Sequence, residues 1–205
     1  MARVGGRNSW IAVPTGVACA AIVAGLVWLS MPMVPVTVAW AGDMLRNATT
    51  PKPEPSPGDT PARRAAAGAA LDCRAIYTDA LWNEMTWTGR TILDQSYDPP
   101  ATAVTSLIEV LVPDVRLTCG WTAGDRGNVV STLAVVASDA SDIAEAALRG
   151  QGFSCAPGDA GLRCTRAEGD ALETHLFRDG LWLCSVESTW HPDDYAARLE
   201  RGVFG

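Results

Sequence analysis

The chain has 205 residues, 48% of them hydrophobic, and a formal net charge of −7, which suits one domain or at most two. No charged residue lies between Arg7 and Asp43, whereas from Gly68 onward 10 Arg and no Lys stand against 20 Asp and Glu, leaving that part near −10. A surface so negative repels phosphate backbones, which argues against nucleic-acid binding and is itself sufficient for solubility.

Trp10 to Met33 is apolar and uncharged. A helix over 11–31 would rise about 31 Å, matching a hydrocarbon core of roughly 30 Å. Pro14 falls in its first turn, Pro32 and Pro35 follow its last, and Trp10, Trp28 and Trp40 lie near its ends. Arg3 and Arg7 precede it without a neighbouring acid, so the positive-inside rule predicts residues 1–10 as a cytoplasmic tail, with 11–31 as a single uncleaved transmembrane signal anchor. The alternative is secretion after cleavage near Ala41, where Ala39-Trp40-Ala41 has a small-x-small pattern, although the apolar run is longer than a usual signal core.

Pro51, Pro53, Pro55 and Pro57, with Pro61 beyond, predict an extended spacer, so residues 32–67 read as a juxtamembrane segment and Pro-rich stalk. Residues 68–205 then form one extracytoplasmic α+β domain of antiparallel strands and helices. Thr78 caps a predicted helix that turns Leu81, Trp82 and Met85 to one side. A second helix is expected over Thr102–Leu111, and strands over Val115–Thr122 and Val129–Ala137. Ser138 or Ser141 is expected to cap a helix running through Leu148. Four short strands follow, the last two joined at Asp179-Gly180, a two-residue hairpin turn that sets Phe177 opposite Trp182 and His175 opposite Cys184. His191-Pro192-Asp193-Asp194 opens a final helix with Tyr195, Leu199 and Val203 inward, its acids suiting the positive helix end. Leu117-Thr118-Cys119 and Leu162-Arg163-Cys164 are each followed by Gly-Asp at equal offsets, which suggests two helix–strand–strand pseudo-repeats.

Five cysteines fall in the domain. Cys155 and Cys164 flank a turn-rich link and are expected to pair across a hairpin, while Cys73 and Cys119 are the next candidates. Cys184 is left over and reads as a buried thiol. No C-x₂-C exists and only two His are present, so zinc, a thiol–disulfide redox site and any other cofactor are not expected.

His175 beside Cys184 has the makings of a nucleophile pair, but no third group is evident and its strand face looks like core. His191, Asp193 and Asp194 have acid–base chemistry that a helix start already explains. Asp94 and Asp98 read as a solvated loop. Of the five Trp in the domain, at least three are expected to be buried, and Trp87 and Trp190 are the candidates for a binding surface.

An N-terminal anchor, a Pro-rich spacer and a small Cys-stapled domain carrying Gly152-Phe153-Ser154-Cys155, Cys164 and His175-Leu176-Phe177-Arg178-Asp179-Gly180-Leu181-Trp182 resemble uncharacterised membrane-anchored envelope proteins of actinobacteria. The resemblance implies no activity. The expected function is a non-enzymatic domain that binds an envelope protein or a cell-wall component. The alternatives are an envelope hydrolase or transferase using His191, Asp193 or His175, and an accessory subunit of a membrane complex.

Overall fold

The structure is a computed structural model that describes residues 9–30, 58–158 and 161–205, with side chains described at 14 and 16–26 in the first stretch. The chain divides into two compact units, residues 1–54 and 55–205. In the first, α1 spans Ser9–Ser30, 22 residues. Among the described residues, however, no helix is long and apolar enough to cross a membrane, which corrects the expected transmembrane helix and leaves the single-pass topology unsupported. Ala39-Trp40-Ala41 and Pro51–Pro57 lie outside the described residues.

The second unit starts earlier than residue 68. Thr60 accepts a hydrogen bond from the Arg63 amide and Pro61 takes the first position of α2, Pro61–Ala66, where a missing N–H costs nothing. Ala62 and Ala65 of this helix are core residues, so Pro61 begins a packed element instead of extending a stalk. The short α3 (Cys73–Ile76) is capped by Asp72, and α4 (Asp79–Trp87) is capped by Thr78 as expected, burying Leu81 and Met85.

Seven strands form one antiparallel sheet: β1 (Thr91–Ser96), β2 (Asp114–Ala123), β3 (Asn128–Val135), β4 (Ser154–Gly158), β5 (Gly161–Glu168), β6 (Ala171–Arg178) and β7 (Leu181–Ser188), in the order β1-β2-β3-β7-β6-β5-β4. β1 takes in Asp94, which the sequence suggested was loop; its pairing with β2 makes it an edge strand. Helix α5 is shorter than expected, Thr105–Leu111, because the Thr102 side chain is engaged with Glu173 and accepts the Val104 amide. Helix α6 (Ala140–Gly150) starts after Asp139, and neither candidate serine caps it. Helix α7 runs Tyr195–Phe204.

Side-chain alternation along the strands divides the core in two. One face carries Leu117, Cys119, Trp121, Leu133 and Leu183, covered by α2, α3, α4 and α7. The other carries Cys155, Cys164, Phe177, Trp182 and Cys184, covered by α5 and α6. Cys119 and Cys164 thus point to opposite faces, and α6 is followed by four strands where α5 is followed by two. The expected pseudo-repeat is therefore not built.

Cys73–Cys119 and Cys155–Cys164 are disulfides, and both point to an oxidising, extracytoplasmic compartment. The strand register sets Cys155, Cys164, His175, Cys184 and Thr132 in one row across the sheet. Helix α7 is seated by a close approach and a buried polar contact. Gly202 lies against the Ile76 carbonyl, where a Cβ would collide with it. The Tyr195 hydroxyl meets Ser131 Oγ at 2.7 Å and the Tyr77 hydroxyl at 3.0 Å.

Candidate functional site

Two clusters of ionisable side chains lie on opposite faces of the sheet. The first is buried. The hairpin places His175 opposite Cys184, as the turn predicts, and the third group that the sequence seemed to lack is Glu173, two residues before His175 and so on the same strand face. Nε2 of His175 contacts Glu173 Oε1 at 2.8 Å, and Trp182 Nε1–H donates to Nδ1 at 3.1 Å. Glu173 also receives the Thr102 hydroxyl and the Ala103 amide. Burial opposes its ionisation, but the hydrogen bonds from His175 and Thr102 outweigh that and hold the carboxyl below its ordinary range. Burial, and then the charge of Glu173, pushes the Cys184 thiol well above its ordinary value.

Among the described residues Glu173, His175 and Cys184 are the one trio spaced for a metal ion. The indole decides against that use. Because Trp182 donates to Nδ1, the proton of the neutral ring sits on Nε2 and is given to Glu173. No imidazole lone pair remains for a metal or for the Cys184 proton. The cluster is a closed hydrogen-bond network in the core, and it provides neither a thiolate nor a metal seat.

The second cluster is open. Strands β5, β6 and β7 and the start of α7 enclose a cleft of about 490 Å³, lined by Arg163, Thr174, Glu187, His191, Asp193 and Asp194 among others. Glu187 is 2% exposed. His191 Nδ1 lies 3.3 Å from its Oε2, and its other oxygen has no hydrogen bond among the described residues. Burial raises the Glu187 pKa, and His191 only partly offsets the rise. The two acids at the helix start do not act as caps: Asp194 is in the left-handed region at φ 49°, its side chain caps nothing, and Asp193 makes no side-chain hydrogen bond among the described residues. Their charges stand beside the positive end of α7 without a capping hydrogen bond. Both nearby arginines are engaged, Arg163 with Glu200, and Arg198 with Glu84 and the Asp193 carbonyl.

No family model and no curated protein matches this chain.

The aromatic candidates are not brought together. Trp87 is 83% exposed, while Trp190 is half-buried against the core, and neither enters an aromatic pair among the described residues. Trp121 and Trp182 are buried and Trp82 is half-buried, so two of the five are fully enclosed rather than the three expected. Glu187 escaped the sequence reading because it sits in a strand whose neighbours are apolar. The signal was its spacing of four residues before His191 across the end of β7.

Proposed function

We propose that the second unit is a non-enzymatic, extracytoplasmic binding domain whose ligand enters the Glu187–His191 cleft. The observation that carries this reading is the Glu187 carboxyl. It is nearly enclosed, holds one weak partner and faces an open cleft. Burial disfavours the charge of this carboxyl, and a bound cationic donor would offset that cost. The hydrolase or transferase alternative has less support. His175 is sealed in the opposite face. Among the described residues the His191 imidazole hydrogen-bonds only Glu187, and no hydroxyl or thiol.

The test uses the full chain in its native envelope, with photoreactive p-benzoylphenylalanine at Ala197, which lines the cleft, or at Ile143 on α6 as a control. Binding at the cleft gives a discrete adduct from position 197, none from 143, and its loss on adding Glu187→Gln. Equal labelling at both positions, an adduct indifferent to Glu187→Gln, or turnover of a substrate by the purified chain would overturn the reading.

A further inference from the structure

Resting on that binding reading, we infer that the cleft receives an aliphatic primary ammonium, specifically a lysine side chain of a basic polypeptide. Charge is the first argument. Glu187, Asp193 and Asp194 line the cleft, and of the arginines near it Arg163 and Arg198 already serve other carboxylates. The positive end of α7 is offset by the two Asp beside it. His191 keeps one oxygen of Glu187, which leaves the other for an incoming donor.

Shape is the second argument. Leu172, Pro192, Ala196 and Ala197 also line the cleft, so a methylene stem can pack against apolar surface while its head reaches the carboxylate. The volume of about 490 Å³ admits a single side chain with part of its backbone.

A bare metal ion fits less well. Among the described residues the trio of ligand atoms close enough to share an ion lies on the other face of the sheet, and Glu187, His191 and the two Asp do not form another. An anionic group meets three carboxylates. A diamino acid of a cell-wall peptide, with a carboxylate next to its amine, meets the same repulsion at Asp193 and Asp194, and for that reason the lysine of a polypeptide is favoured.

Ligand-observed NMR titration of the full chain tests this with three probes: Nα-acetyl-lysine methylamide, its Nε-acetyl form and meso-diaminopimelic acid. The expected result is binding of the first, with affinity at least about tenfold weaker for the Nε-acetyl form and for the Glu187→Gln chain, the loss that follows removal of a charged hydrogen-bond partner. Thermal melts of the same samples verify that Glu187→Gln is folded. Equal or tighter binding of diaminopimelic acid, no binding of the lysine probe, or binding untouched by Nε-acetylation would overturn the inference. If the lysine probe fails while the Ala197 adduct persists, the ligand class falls and the binding reading stands; if the adduct is absent as well, both fall.

Discussion

Two glutamates of similar burial have opposite effects on the stability of this fold. Glu173 accepts from His175, Thr102 and the Ala103 amide, and its pKa is lowered. Its contribution is present above the ordinary glutamate range and is lost as pH falls through the lowered value. Glu187 has a single weak partner, and burial raises its pKa. Its contribution is full below the ordinary range and is lost as pH rises through the raised value, so at neutral pH its charge opposes folding. Thermal melts at pH 7 should therefore give a higher Tm for Glu187→Gln and a lower Tm for Glu173→Gln than for the wild type. The gain from Glu187→Gln should vanish in mildly acidic buffer, below the ordinary glutamate pKa. A lower Tm for Glu187→Gln at pH 7 would mean that this carboxylate is structurally satisfied. Stability given up at one residue is a common mark of a site kept for binding.

At the scale of elements, α7 sets the cleft, and its seat is a glycine. Gly202→Ala presses a Cβ into the Ile76 carbonyl. Overpacking of this kind costs about 1–3 kcal/mol, and urea denaturation should show the loss as a lower midpoint with an unchanged slope. Much of the element order was legible from local chemistry. Thr78 and its apolar neighbours announced α4, and Asp179-Gly180 fixed the register of β6 and β7 to the residue. Strand β1 was not legible, because Thr91–Ser96 carries Asp94 and Gln95 and becomes a strand through β2, a partner distant in sequence. Helix α2 was hidden by reading Pro61 as one more stalk proline when it begins a helix. The site was half legible. His191, Asp193 and Asp194 stood out as residue types, but nothing local reveals that β5 and β6 close the cleft beside them and Glu187.

The two bridges hold different parts of the second unit. Cys73–Cys119 ties α3 to β2 over a separation of 46 residues, and Cys155–Cys164 ties the neighbouring strands β4 and β5 over 9. On a chain-entropy estimate the first contributes about 4 kcal/mol and the second about 3. Replacing Cys73 and Cys119 by Ala should lower the melting temperature more than replacing Cys155 and Cys164, as calorimetry of the two double variants would measure. The reverse order would show that the β4–β5 edge limits the stability of the whole sheet.

Cys184 occupies the same transverse row as Cys155 and Cys164, separated from Cys164 by the imidazole of His175. The chain thus contains an attacking group and a bond it could attack, kept apart by the intervening imidazole, by burial and by a raised pKa. Once the chain opens in neutral or alkaline solution, that thiol can ionise and exchange with either bridge. Bridges that have traded partners no longer guide the chain back to its sheet. For this protein, a brief excursion from the folded state risks becoming a permanent change in covalent connectivity.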